Sequence, residues 1–195
     1  MTARSARILP LGLVVLATVG LPLIPACGKS EANSATTTSA PTIDINLATP
    51  QDAARSVLNC LLAERAALHR HDDAAVKLCR KRLRSMVASN AILRRYEDAF
   101  HIKPRDPEQH LATYLSGWAP LIGFYADGLK LDSISTVTPV GSTEHAFVRV
   151  PATSPAGPAV ISLECQKDSD DHWRVARLDF ADVATTSQPA SAPAP

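Results

Sequence analysis

The stretch TPQDAARSVLNCLLAERAALHRHDDAAVKL, residues 49–78, predicts two consecutive helices and begins the folded part of the chain. Thr49 is a good N-cap and Pro50 suits a first helical position, so we expect a helix from residue 50 to about residue 70. Its apolar residues recur at helical spacing and predict one buried face: Ala54, Val57, Leu58, Leu61, Leu62 and Leu68. An aspartate of the HRHDD segment can cap the second helix, and we expect the two helices to form a hairpin.

Two further helices are expected before the pattern changes. A cap at Ser89 or Asn90 would start a third helix, and the Asp-Pro-Glu-Gln start signal at residues 106–109 predicts a fourth. Gly117 and Pro120 are then expected to close the helical half, because both residue types disfavour a continuing helix.

From residue 129 onward the apolar period becomes that of strands, and turn-forming stretches such as residues 151–158 separate the segments. Short connections predict an antiparallel meander with one face on the helices, and therefore an α+β fold. In the last strand the apolar side changes after Val175, which predicts a bulge or a change of face near residues 174–177. The four predicted strands are LKLDSISTV (129–137), EHAFVRV (144–150), AVISLECQ (159–166) and HWRVARLDF (172–180).

At the N-terminus, an uncharged apolar run at residues 8–27 follows two arginines and ends at Cys27. A basic start, an apolar middle and small residues before a cleavage point are typical of a secretory signal. The alternatives are a membrane-spanning signal anchor and a plain secretory signal, but proline and glycine residues interrupt the run and weaken a spanning helix. We therefore predict a signal peptide over residues 1–26.

The end of this run, Ile24-Pro25-Ala26-Cys27, resembles the lipobox of bacterial lipoproteins, with Pro25 where that family usually carries Ser, Ala or Thr. The resemblance implies a diacylglyceryl group on the Cys27 sulfur, cleavage after Ala26 and acylation of the new amino terminus. It also implies that the protein is exported and is held on the non-cytoplasmic side of a bacterial membrane. Its acyl chains would be of the palmitate type. Several acyl chains anchor a protein more firmly than one.

Low-complexity segments flank one predicted domain. Residues 27–48 are rich in Ser, Thr, Ala and Asn and are expected to form a flexible tether, and residues 184–195 a disordered Pro/Ala/Ser tail. The intervening residues 49–183 have the length of a single domain with its own core.

Charge is distributed unevenly, although the net charge of the chain is +1. Residues 65–105 carry eleven basic and four acidic side chains, whereas residues 106–182 carry five basic and eleven acidic ones. Two complementary halves of one domain explain this pattern, and a basic patch that meets anionic lipid is the alternative. Nucleic acid is not expected as a partner on the exported side of a membrane.

Three cysteines remain if Cys27 is lipidated. Cys60 and Cys79 lie on either side of the predicted helical turn and are candidates for a disulfide, with buried free thiols as the alternative. Cys165 would stay unpaired. No cysteine spacing is typical of a metal site, and the histidines of HRHDD are ordinary for an exposed turn, so we expect neither metal nor cofactor.

The opening stretch at residues 49–78 and the closing pair AVISLECQKDSDDHWRVARL (159–178) together resemble the cone-shaped domains related to nuclear transport factor two and ketosteroid isomerase. The resemblance implies helices packed on a curved antiparallel sheet. Enzymes of that group use an Asp or His base with a Tyr donor inside the cone. No position here matches that motif, so we assign no catalytic residue.

The leading functional hypothesis is a lipid-anchored envelope protein with a non-enzymatic binding or scaffolding domain. Its partner would be a small hydrophobic ligand or another envelope protein. Trp118, Phe124 and Tyr125 are candidates for a cavity lining, with core packing as the alternative. A second hypothesis is an isomerase- or hydrolase-like enzyme that uses Asp127 or His145 beside Tyr125. A third is a structural domain whose basic helices dock on anionic lipid.

Overall fold

The structure, a computed structural model, describes residues 43–182 of the chain. Helices come first and an antiparallel sheet follows, which confirms the predicted α+β class. The elements are α1 (Pro50–His69), α2 (Asp73–Met86), α3 (Ser89–Phe100), α4 (Pro107–Ser116), α5 (Trp118–Gly123), β1 (Ser135–Val137), β2 (His145–Ser154), β3 (Gly157–Lys167) and β4 (Trp173–Asp182). None of the described helices is both long and apolar enough to cross a bilayer.

The predicted start signals work at three helices. The side chains of Thr49, Asp72 and Asp106 accept hydrogen bonds from backbone N–H groups in the first turns of α1, α2 and α4, at 3.1, 3.0 and 2.9 Å. Each bond satisfies a donor that the helix itself leaves free. The expected cap of α3 is wrong: its N-cap is Ala88, which makes no side-chain capping bond.

The helical half extends further than predicted, because α5 follows α4 after a single residue, Gly117. Pro120 does not stop this helix, since it lies in the first turn, where a backbone N–H has no intrahelical acceptor and its loss costs little. Gly117 ends α4 but not the helical half, so the expectation that Gly117 and Pro120 close the helical half is wrong.

The sheet is a meander in the order β1-β2-β3-β4, with every neighbouring pair antiparallel. Residues 151–158, predicted as a connection, mostly belong to strands: β2 and β3 pair from His145↔Gln166 to Ser154↔Gly157 around a two-residue turn. Pro151 is tolerated within β2 because β1 begins only beside Arg149 and leaves this part of β2 as an edge, where a missing N–H breaks no ladder bond.

The first predicted strand is much shorter than expected. Residues Ala126–Gly128 and Leu131–Ser133 form 3₁₀ turns, and only Ser135–Val137 pair with β2. The backbone of this segment packs closely on β2, since a Cβ at Gly128 would lie 2.7 Å from the backbone N of Thr153. The N–H of Lys130 donates to the Pro151 carbonyl at 2.9 Å and completes this contact.

The predicted bulge in β4 is confirmed. Cys165 pairs with Val175 and Glu164 with Arg177, so Ala176 is the extra residue. Because of this insertion, residues on both sides of the bulge, including Val175 and Leu178, face the core. That core joins the sheet to the apolar face of α1, and its members without exposed surface include Val57, Leu58, Leu61, Val148, Val150, Ile161 and Leu163.

The start of β4 has hydrogen-bonding partners on its outer edge. Val87 forms a parallel bridge with Val175, and the N–H of Ala88 donates to the Val175 carbonyl at 2.9 Å. The N–H of Trp173 donates to the Leu47 carbonyl, also at 2.9 Å. This arrangement of helices on an antiparallel sheet is compatible with a cone-like fold.

Candidate functional site

The three aromatic residues considered as a cavity lining have separate surroundings. Trp118 is buried and packs edge-on against Tyr114, with ring centroids 5.6 Å apart. Tyr125 stacks on Phe180 of β4 at 5.0 Å. Phe124 is 63% exposed. The structure therefore gives these residues packing and surface positions and does not gather them around one space.

The residues considered for enzymatic chemistry lie at the surface. The side chains of Asp127 and His145 are both exposed, and Tyr125 is half-buried against Phe180. A general base of the expected kind needs a buried, polar-lined cavity. The described residues bring neither Asp127 nor His145 into one.

Cys60 and Cys79 face each other across the α1–α2 hairpin. The Cys60 thiol donates to the Cys79 carbonyl oxygen at 3.2 Å, and both residues are buried thiols. Burial, then the neighbouring Cys79 and Glu64, raises the pKa of Cys60 to about 12, and burial followed by Glu64 raises that of Cys79. These thiols are therefore poor nucleophiles in the folded domain.

A groove between α2 and α4 is the best candidate site. Its volume is about 290 Å³. Its apolar walls come from Leu83 of α2 and from Ala112 and Leu115 of α4, with Ser116 at one end. The cationic residues on its rim all belong to the exposed face of α2, at helical spacing i, i+3, i+4 and i+7: Lys77, Arg80, Lys81 and Arg84.

Arg80 is held in place by a buried carboxylate. Its Nε donates to Glu64 Oε1 at 2.7 Å, and the Glu64 side chain has no exposed surface whereas that of Arg80 is 49% exposed. The second oxygen, Glu64 Oε2, is buried without a hydrogen-bond partner among residues 43–182. Among residues 43–182 only the Nε of this guanidinium has a partner, and the half-exposed side chain lines the groove.

The other cations of the rim differ in their pairing. Arg84 donates to Glu108 of α4 at 2.9 Å, and both side chains are exposed. Lys77 and Lys81 make no ion pair with any described residue and are exposed. The rim therefore offers two unpaired ammonium groups and one preorganised guanidinium above an apolar floor.

On the opposite side of α4 lies an aromatic cleft of about 350 Å³. Tyr96 of α3 contacts His110 of α4, with ring centroids 3.9 Å apart, and Phe100 at 4.8 Å. The cleft is also lined by Ile92, Ala99, Tyr114 and Ala176. The charge of Arg95 is already neutralised there, because Glu164 accepts two hydrogen bonds of 2.9 Å from its Nη2.

One further cluster has the composition of a metal site. Ligand atoms of Asp168, Asp170 and His172 lie within 4.8 Å of one another in the β3–β4 turn. Asp168 already accepts from Arg174 and from the backbone N–H groups of Asp170 and His172 at 2.9 and 3.0 Å. Burial works against ionisation, but these hydrogen bonds hold the pKa of Asp168 below its usual value. Its carboxylate thus has a structural role in the turn.

The expected lipid attachment at Cys27, the signal peptide and most of the tether lie outside the described residues. Comparison of the chain with protein-family models, with curated proteins and with solved structures finds no match.

The groove was not predicted from the sequence, although its row of cations could be recognised there. The four cations of α2 follow a helical period that is readable in the sequence. The apolar wall depends on how α4 packs against α2, which no local pattern encodes. Glu64 was missed because it is an acidic residue within the apolar face of α1.

Proposed function

We propose that this protein is a lipid-anchored envelope protein whose domain binds an anionic amphiphile in the α2–α4 groove. The anchor is the lipidated Cys27, on the non-cytoplasmic side of a bacterial membrane. The observation that carries the binding proposal is the pairing of four cations with an apolar floor in one groove. No catalytic step is part of the proposal.

The chemistry of the groove favours a lipid headgroup over a simple anion. Lys77, Lys81 and Arg80 supply charge and hydrogen-bond donors suited to phosphate oxygens. Leu83 and Leu115 are nearly buried at the base of the groove, so the apolar surface open to a ligand comes from half-buried Ala112 and the methylene stems of the lining cations. The first carbons of an acyl chain would cover this surface, whereas a small inorganic anion would not. Ligand pockets usually span roughly 300–1,000 Å³. The groove, at about 290 Å³, suits a headgroup and adjoining carbons rather than a whole lipid.

A relationship to the cone-shaped domains of the nuclear transport factor two and ketosteroid isomerase group is part of the proposal. The order of helices and meander supports it. In those enzymes the ligand lies inside the cone. Here the inner face of the sheet is covered by α1, with Val148, Ile161 and Leu163 fully buried, so we place the ligand on the helical side instead.

The binding proposal is tested with a soluble short-chain lipid. The full chain, held in phosphatidylcholine nanodiscs, is titrated calorimetrically with dihexanoyl-phosphatidylglycerol, with empty nanodiscs as the blank. We expect saturable binding that weakens at higher salt, since screening reduces charge attraction. Dihexanoyl-phosphatidylcholine should bind at least tenfold more weakly.

Matched variants assign the binding to the groove. Lys77→Gln/Lys81→Gln should weaken binding about thirtyfold, given that each of the two charges near an anionic group contributes on the order of 1 kcal/mol. Lys130→Gln/Arg149→Gln removes the same charge from exposed positions outside the groove and should leave binding unchanged. Equal losses in both variants would disprove a specific site. Inorganic phosphate that binds as tightly as the short-chain lipid would show that the apolar floor is unused and the ligand class wrong.

The anchor is tested separately by metabolic labelling with a radioactive fatty acid in a bacterial host. We expect label in the full chain and its loss in Cys27→Ala. Label that persists in Cys27→Ala would show that the lipid is attached elsewhere.

A further inference from the structure

Arg84, the last cation on the rim of the α2–α4 groove, already holds an anionic group. Its Nη1 donates to Glu108 Oε2 at 2.9 Å, and its Nη2 donates to the Glu108 backbone carbonyl at 3.5 Å. The carboxylate reaches Arg84 from α4, on the opposite wall of the groove. The Glu108 side chain is 77% exposed, and an ion pair in contact with water contributes little to stability. An anionic group of a ligand can therefore replace this carboxylate at little cost.

The charge of the groove exceeds what one phosphodiester can neutralise. Four cations line it, and the carboxylates of Glu64 and Glu108 each pair with one of them, so the net charge is +2. A headgroup joined through a single phosphodiester carries one negative charge. Complementary charge therefore favours a ligand with a second anionic group.

The spacing of the cations separates Arg84 from the others. Residues 77, 80 and 81 lie within about one turn of α2, whereas residue 84 lies one turn beyond residue 80, about 6 Å further along the helix. A phosphate held by Lys77 and Lys81 thus leaves Arg84 to a second group of the same ligand.

A polar hollow of about 470 Å³ lies beyond Arg84, which lines this hollow as well as the groove. Residues at the start of α3 and in the β3–β4 turn form its other walls. The other two cations there, Lys167 and Arg174, are paired with aspartates of that turn. The hollow gives room for the polar end of a headgroup, and Arg84 is the cation that connects it with the groove.

We propose that Arg84 is a second anion-binding position and that the ligand of the groove is an amphiphile with two phosphate groups. One phosphate binds at Lys77, Arg80 and Lys81, and the second displaces the Glu108 carboxylate and binds the Arg84 guanidinium. A ligand with one phosphate leaves the Arg84–Glu108 pair intact. These two residues then determine the preference for the doubly phosphorylated headgroup. The inference rests on the proposed function and adds the class of ligand.

Two short-chain lipids that differ by one phosphate test the second position. Dihexanoyl-phosphatidylglycerol and dihexanoyl-phosphatidylglycerol phosphate are titrated calorimetrically into the full chain in phosphatidylcholine nanodiscs, and the ratio of their dissociation constants is the measure. We expect the second phosphate to tighten binding about tenfold, because charge-assisted hydrogen bonds to Arg84 outweigh the exposed ion pair that they replace.

Arg84→Gln should reduce this preference to about twofold or less, since the second phosphate loses its guanidinium partner. Arg149→Gln removes the same charge from an exposed position in β2 and should retain the tenfold preference. A preference that survives Arg84→Gln would overturn the proposal.

Glu108→Gln should raise the preference by about another threefold, because no carboxylate then competes for Arg84. Asp98→Asn, which removes the same charge from an exposed position in α3, should not raise it. In a chain that already carries Arg84→Gln, the change Glu108→Gln should have no further effect. An equal gain with and without Arg84 would indicate simple charge repulsion by Glu108 and would contradict the exchange of partners.

The two proposals fail separately. Binding of both lipids with equal dissociation constants supports the groove and overturns the second position. Binding of the doubly phosphorylated lipid alone, lost in Arg84→Gln, supports both proposals. If neither lipid binds, the groove is rejected as a ligand site and the second position with it.

Discussion

Glu64 of α1 and Arg80 of α2 form an ion pair that is buried at one end only. Arg80 Nε lies 2.7 Å from Glu64 Oε1, and the carboxylate has no exposed surface whereas half of the arginine is exposed. The pair ties the α1–α2 hairpin together and fixes one cation at the groove. Its two roles, in stability and in binding, can be separated by mutation.

Arg80→Ala is expected to lower the free energy of unfolding of the full chain by about 3 kcal/mol, because it leaves a buried carboxylate without its partner. Arg84→Ala, which breaks a pair exposed at both ends, should cost less than about 1 kcal/mol. Urea titrations measure both. Arg80→Leu/Glu64→Leu should regain most of the loss, and equal costs for Arg80→Ala and Arg84→Ala would contradict this account.

Cys60 and Cys79 are expected to form a disulfide when the chain folds under oxidising conditions, since their side chains meet across the hairpin. The raised pKa values make oxidation slow once the domain has folded, so the bond should form early. Refolding with oxidised glutathione and then alkylating in urea should modify Cys165 and leave Cys60 and Cys79 unmodified. Alkylation of Cys60 and Cys79 together with Cys165 would refute the bridge.

Stability should fall at alkaline pH because of Cys165. Burial, and next the charge of Glu164, raises the pKa of Cys165 from 9.0 to about 12. An unfolded thiol ionises near pH 9 and a folded one does not, so its contribution to stability is present below pH 9 and is lost between about 9 and 12. The slope reaches at most about 1.4 kcal/mol per pH unit. Urea midpoints should fall less steeply in Cys165→Ala than in the parent chain; parallel slopes would exclude this thiol as a cause.

Gly128→Ala is expected to destabilise the domain by about 1–3 kcal/mol, since the added methyl meets the Thr153 backbone of β2. Gly117→Ala is the matched control, because its added methyl would lie 3.4 Å from the Tyr114 carbonyl oxygen, an ordinary contact. Thermal unfolding compares the two. A loss at Gly117 as large as that at Gly128 would point to backbone flexibility rather than to close packing.

The features that the sequence predicted correctly depend on residues that are close to one another in the chain. Caps at Thr49 and Asp106 act over three residues, and the bulge at Ala176 follows from a change of side within one strand. The shortened β1 was missed because Gly128 packs on Thr153, a contact across 25 residues that alternation of apolar residues does not reveal.

The candidate site shows the same division. The cations of α2 and the charge of residues 65–105 were readable, and the hypothesis of basic helices on anionic lipid used them. The groove also needs Leu115 of α4 and the buried Glu64 beneath Arg80. Both are consequences of tertiary packing, so sequence supplied the charge of the site and not its shape.

The strands that bury the apolar face of α1 are synthesised long after the helix itself. Its apolar face packs on strands that begin with β2 at His145, and the Cys165 thiol reaches the Pro50 carbonyl, 115 residues away in the chain. The α1–α2 hairpin can close as soon as it emerges from the ribosome, whereas that face stays open until the meander has been made. The nascent chain therefore exposes the apolar face of α1 until the strands have been synthesised. A chaperone that covers residues 54–62 would protect the chain from aggregation during this time.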